Sequence, residues 1–168
     1  MKKTILSAAL AVVAVGAQAE HKPFDYVSAG IIDGGTSELY IAGSKQINDQ
    51  IVVDAEYINV GDYQLTLQVK YLMDSVTPGF YLNAGAQTWK WGSFDDTGAV
   101  VGAGYVLPVN SELNVHFDAN HHTIFSGYTS IGARAFYHFS DSISTDVGFT
   151  INTSGYENLL RLGVAYKF

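Results

Sequence analysis

Apolar and polar side chains alternate along most of this chain with a period of two residues. The cleanest stretch is 63–72, where Tyr63, Leu65, Leu67, Val69 and Tyr71 interleave with Gln64, Thr66, Gln68, Lys70 and Leu72. Successive side chains of a strand point to opposite faces, so this stretch predicts a strand with one apolar and one largely polar face. Similar runs cover 24–33, 38–47, 50–60, 79–91, 99–107, 112–119, 128–139, 143–151 and 158–168, which makes ten in all. Clusters of Gly, Pro, Asn, Asp and Ser separate them, as turns require.

An apolar face that recurs in every run, with no helical segment to cover it, predicts an all-β fold whose apolar side meets lipid. Most runs have the ~9–11 residues that a tilted strand needs to cross a bilayer. Such strands must close on themselves, because an open edge in lipid leaves N–H and C=O groups unpaired at several kcal/mol each. The predicted architecture is a transmembrane antiparallel up-and-down β-barrel of ten strands. The alternative is eight strands, with 24–33 or 38–47 serving as plug or loop. An even count puts both termini on the periplasmic side. Segments 48–49, 74–78, 108–111 and 140–142 are then periplasmic turns, and 34–37, 61–62, 92–98, 120–127 and 152–155 are outer loops.

Parity assigns the two faces. The lipid-facing set includes Ile51, Val53, Leu65, Leu67, Val69, Leu82, Val101, Val115, Phe117, Ile131, Val147, Leu162 and Val164, and it carries no charge. Lys or Arg at mid-membrane would cost roughly 2–4 kcal/mol. Phe80, Tyr105, Tyr137, Phe139, Tyr166 and Phe168 suit an inner aromatic girdle, and Tyr57, Tyr63 and Phe149 an outer one. The lumen receives Asp54, Glu56, Gln68, Lys70, Glu112, His116, Asp118, Arg134, Asp146, Arg161 and Lys167. Compensating pairs are expected: Asp54 with Lys70, Arg134 with Glu112, His116 or Asp118, and Asp146 with Arg161. Gly85, Gly102, Gly104, Gly132, Gly148 and Gly163 also point inward, either relieving crowding or leaving a wet channel. Tyr81, Trp89, Tyr128 and Phe136 share that parity and can fill the space. Narrow barrels are filled by side chains, so a packed or very narrow polar interior is expected over an open pore.

The beginning of the chain has its own pattern. Lys2 and Lys3 precede an apolar and small-residue run from Ile5 to Val15, and Ala17-Gln18-Ala19 is a small-x-small site before Glu20. This is the layout of a secretory signal peptide, too short to span a bilayer. Cleavage after Ala19 would leave 149 of the 168 residues as the barrel domain, 20–168, and carry the formal charge from −7 to −9 as Lys2 and Lys3 depart. Cysteine is absent, which excludes disulfides, thiolate metal sites and a lipid anchor at Cys. The acidic balance argues against a nucleic-acid partner, whose phosphates call for a basic patch.

At the other end, Gly163, Tyr166 and Phe168 stand where the C-terminal assembly signal of bacterial outer-membrane β-barrels has a glycine, an apolar or aromatic residue three later and a terminal Phe. The chain resembles the small porin-like outer-membrane β-barrels of Gram-negative bacteria. The resemblance implies an outer-membrane location, a structural or narrow-pore role, and dealings with membrane lipid, lipopolysaccharide, and the secretion and barrel-assembly machineries. A monomer is expected, with no cofactor and no metal.

Two other roles compete. A surface interaction barrel would use its acidic and aromatic outer loops. An outer-rim hydrolase would use Asp95 and Asp96 from one loop with His121 and His122, followed by Ser126, from the next. General acid–base chemistry needs such groups within hydrogen-bond reach, and ordinary solvated loop residues give the same composition. A divalent metal on the two histidines is disfavoured, because neighbours on an extended segment point to opposite sides. Trp89-Lys90-Trp91 can be a stacking platform, but at a strand end near the membrane rim an interface anchor is the stronger expectation.

Overall fold

The computed structural model describes residues 23–168; the expected signal peptide and its expected cleavage site at Ala17 and Ala19 lie outside the described residues. Ten antiparallel strands follow one another as a meander: β1 Tyr26–Asp33, β2 Ser37–Gln46, β3 Ile51–Ile58, β4 Tyr63–Leu72, β5 Phe80–Trp91, β6 Phe94–Pro108, β7 Leu113–His122, β8 Tyr128–His138, β9 Ile143–Asn152 and β10 Leu159–Lys167. Each pairs with its sequence neighbours, and β1 closes on β10 from Tyr26↔Lys167 to Asp33↔Leu160. Ten strands in a closed barrel is the expected count. The eight-strand alternative fails because 24–33 and 38–47 both supply wall strands, β1 and β2, and neither forms a plug.

The two-residue alternation explains both surfaces. Leu162 is 61% exposed and Val164 57%, far more than a water-soluble sheet leaves on its apolar face, while Lys70 on the opposite parity of β4 is buried. Outward aromatics meet near the rims: Tyr57 stacks on Tyr63 at 6.2 Å between ring centres, and Tyr137 meets Phe139 edge-on at 5.2 Å. Among the described residues two lysines have outward parity, Lys90 in the β5–β6 hairpin and Lys45. Lys45 lies near the start of β1, where Asp25 accepts from its ammonium at 2.8 Å and Phe168 offers its ring face at 4.8 Å. Asp25 also accepts the Gln46 N–H at 2.7 Å, which ties the chain ahead of β1 to β2.

Two outer loops are shorter than expected. The predicted loop 92–98 is mostly strand: β5 and β6 continue to a two-residue turn at Gly92-Ser93, with Lys90↔Asp95 and Trp91↔Phe94 still in register. Gly92 sits at φ +61°, the left-handed region that a tight hairpin turn demands. Thr88 and Thr97 hydrogen-bond across the extension at 2.9 Å. The predicted loop 120–127 likewise loses Asn120, His121 and His122 to β7, leaving Thr123–Gly127 around a short 3-10 turn, Ile124–Ser126.

Candidate functional site: the lumen and its mouth

The polar faces of the strands enclose a cavity of about 850 Å³ that reaches the end of the barrel bearing the turns at Gly34, Gly92, Phe125 and Gly155. Asp54, Glu56, Gln68, Lys70, His116, Asp118, Arg134 and Arg161 line it. The remaining lumen candidates lie elsewhere. Asp146 is fully buried behind Arg134. Lys167 lies at the opposite end, with its Nζ 3.5 Å from His138 Nε2. Glu112 is not in the lumen: it is exposed in the turn before β7, and its carboxylate accepts the Tyr137 O–H at 3.1 Å on the outer side. Its backbone is still held by β8, the carbonyl accepting the His138 N–H at 2.7 Å, so the side chain alone turns outward to Tyr137.

The cavity stops at a floor. Rings form a continuous chain across the barrel there: Tyr81 to Phe24 at 5.6 Å, Phe24 to His116 at 5.5 Å, His116 to Phe136 at 5.0 Å and Phe136 to Tyr26 at 4.8 Å. Phe24 and Tyr81 pack with Val52, Leu72 and Val106 into a buried apolar cluster. Phe24, which precedes β1, folds inward as part of this seal. Two basic residues cap the floor from the cavity side. Lys70 lies over Phe24 and Tyr81 with Asp54 at 3.3 Å, and Arg134 lies over Tyr26 and Phe136.

Arg134 is the most connected residue of the lumen. Its guanidinium forks onto both oxygens of Asp146, with Nε at 2.6 Å, and donates to Ser28 Oγ at 2.8 Å and Tyr26 Oη at 3.1 Å. Tyr40 donates to the same Asp146 carboxylate at 2.7 Å. Arg161, expected to meet Asp146, is satisfied instead by Glu56 at 2.5 Å, on a strand that is not its neighbour, with the Tyr40 ring 4.3 Å beneath it. Sequence spacing predicts only adjacent-strand partners, whereas a narrow barrel brings opposite walls within side-chain reach.

The inward glycines serve these tyrosines. A Cβ at Gly163 would collide with the Tyr40 hydroxyl and one at Gly104 with the Tyr81 ring. Of the two expected roles, relief of crowding holds at both positions: the missing side chains seat large rings. The tyrosine hydroxyls are in turn anchored, Tyr81 donating to Asp118 at 2.5 Å. Asp54 Oδ1 and Arg161 Nη1 are buried with no protein partner, as suits a lumen that holds water.

A second chain of rings occupies the mouth. Phe125 meets Trp89 at 5.8 Å, Trp89 meets Tyr156 at 6.1 Å, Tyr156 stacks on Tyr128 at 4.3 Å, and Tyr128 stacks on His122 at 4.2 Å. His122 is held within the wall by Gln87 at 2.8 Å and Ser130 at 3.0 Å. Trp89 and Trp91 both line the cavity, so the interface-anchor expectation for them is overturned. Their shared parity is that of the lumen. Phe125 takes a left-handed backbone at φ 47°, a strained choice for a bulky residue, and donates its N–H to Asp96 at 2.7 Å. The Tyr156 phenol is pushed up by burial and then by the Asp96 charge.

The hydrolase constellation does not assemble. Asp96 is committed to the backbone N–H groups of Phe125 and Thr97. Asp95 stands opposite Lys90 in the register of the β5–β6 hairpin, on the face away from Trp89 and Trp91. His122 is inside the wall, whereas His121 is on the opposite face of β7 against Thr129 at 3.3 Å. Ser126 lies in the 3-10 turn. Alternation along β7 separates the two histidines, and no group of three metal-ligating side chains forms among the described residues.

No family model matches the chain, and no curated protein matches it. Solved structures do resemble it. The KdgM porin in complex with disordered oligogalacturonate superposes with a TM-score of 0.57 at 9% identity, over 85% of this chain and 99% of that one. A second KdgM porin structure gives 0.56 at 9% identity over the same shares. The translocator domain of the autotransporter NalP from Neisseria meningitidis gives 0.53 at 10% identity, covering 100% of this chain and 95% of that one. At these identities the likeness is one of fold alone: a closed antiparallel β-barrel.

Proposed function

We propose that this chain is an integral outer-membrane barrel that opens toward the cell surface as a cup and is closed to solutes on the periplasmic side. The observation that carries this is the contrast along the lumen axis. A polar cavity reaches one rim, and a chain of five buried or half-capped rings, backed by Val52, Leu72 and Val106, blocks the other. The apolar outer belt supports residence in lipid, and the porin and translocator barrels of like fold support the outer membrane. With Tyr26 and Lys167 paired at the floor end, the floor faces the periplasm.

Conductance across a planar bilayer tests the closure. Purified wild-type protein, shown to be folded by its heat-modifiable migration, should be silent. Phe24→Ala combined with Tyr81→Ala should give discrete steps. Steps from the wild type would overturn closure in favour of a narrow pore, a second role that the unpartnered buried atoms of Asp54 and Arg161 favour. Remaining in solution without detergent would overturn the membrane assignment itself.

A further inference from the structure

The lumen meets its own cations with aromatic faces. Lys70 lies over Phe24 and Tyr81, Arg134 over Tyr26 and Phe136, and Arg161 over Tyr40. Each of the three is also paired with a carboxylate: Asp54, Asp146 and Glu56. The mouth has the same materials differently arranged. Trp89, Trp91, Phe94, Phe125, Tyr128 and Tyr156 line it, yet among the described residues no protein cation lies over any of them.

Charge points the same way. The cavity is lined by five carboxylates, Glu38, Asp54, Glu56, Asp118 and Glu157, against three basic residues, Lys70, Arg134 and Arg161. Two of the three basic residues are neutralised by lining carboxylates, and the third by Asp146, buried in the barrel interior beneath the cavity lining. Glu38 and Glu157 at the rim and Asp118 deeper down therefore leave the cup negative. Low-dielectric walls focus such a field toward the opening. Aromatic faces attract cations through the ring quadrupole, and carboxylates close by add to the attraction. A cavity of about 850 Å³ also falls within the ~300–1,000 Å³ that small-molecule sites occupy.

We infer that the mouth of the barrel binds organic cations, amines or quaternary ammonium compounds with an apolar body, between its aromatic wall and the Glu38 and Glu157 carboxylates. This rests on the cup being open at that rim and does not depend on whether the floor conducts. An acidic oligosaccharide fits the site poorly, because every basic side chain lining the cup is already paired. Binding would reach solutes at the cell surface, and the sealed floor would hold them there.

The chain supplies its own probe, since both of its two tryptophans line the mouth. Tryptophan emission of the full-length barrel in detergent is titrated with choline, with its neutral isostere 3,3-dimethylbutan-1-ol, and with galacturonate. Choline should shift the emission saturably, and the isostere should bind on the order of tenfold more weakly. Glu157→Gln should weaken choline roughly two- to fivefold with the heat-modifiable migration unchanged, and added salt should act in the same direction. Equal responses to choline and the isostere, a response to galacturonate alone, or no saturable shift would each overturn the proposal. The titration is done without a bilayer, so its failure is distinguishable from failure of the closed-floor assignment, which conductance reads.

Discussion

The floor and the mouth of this barrel are each built around a chain of five rings that includes one histidine. They differ in what surrounds those rings. At the floor, Tyr81, Phe24, His116, Phe136 and Tyr26 are packed among buried apolar side chains and capped by Lys70 and Arg134. Of the five rings at the mouth, only Tyr128 and His122 are buried; Phe125 is 36% exposed, and Phe94 on the same cavity 72%. The same side-chain chemistry therefore seals one end and offers contact surface at the other. What separates the outcomes is the supply of cations from the chain itself and the apolar backing, both of which the floor has.

The comparison is broken hardest at Asp146. Asp146→Ala would leave Arg134 without its carboxylate and the Tyr40 hydroxyl without its acceptor, both in the interior. Removing one member of a buried ion pair costs about 3–5 kcal/mol, so urea unfolding in detergent should shift by an amount of that order. Replacing Arg134 and Asp146 together with apolar residues should cost much less, because no charge is left stranded. A loss below about 1 kcal/mol for Asp146→Ala would mean that the floor is not held by this network. Next comes Gly104→Val. Its side chain would meet the Tyr81 ring and the Phe117 carbonyl, and overpacking of this kind costs about 1–3 kcal/mol. A further Tyr81→Ala should recover part of that loss, since it removes the ring that Gly104 accommodates.

Much of the floor was legible in the sequence, and little of the mouth. Parity along 63–72, 79–91 and 128–139 assigns Lys70, Tyr81, Arg134 and Phe136 to the lumen without reference to partners, because a strand admits only two faces. The diagonal Asp54–Lys70 pair follows from the two-residue connection at Gly61-Asp62. The cross-lumen bond from Arg161 to Glu56 does not follow, since it depends on barrel width and not on neighbouring strands. At the mouth, Asp95-Asp96-Thr97-Gly98 has the composition of a loop, and the hairpin that absorbs it is secured by partners such as Thr88 and Trp89 on β5. Residues 120–122 were lost to the loop for the same reason, and with them the inward direction of His122. Phe125, Tyr128 and Tyr156 come from separate segments, and only the strained turn at Phe125 brings its ring against Trp89.

The smallest expected effect sharpens the contrast most. Trp91 is 68% exposed in the β5–β6 hairpin, with its ring beside the Gly61 turn. If the mouth is contact surface, Trp91→Ala should change unfolding stability by no more than about 0.5 kcal/mol, the range of surface substitutions that touch no special feature. Emission from Trp89 should remain blue-shifted, because its indole is packed against Phe125 and Tyr156 and does not depend on Trp91. A loss above about 2 kcal/mol would make the mouth a structural element like the floor. Near-neutral stability with weakened binding of an organic cation would separate the two ring chains by purpose: Trp91 then belongs to the surface the barrel presents, and Phe24 and Tyr81 to the wall that closes it.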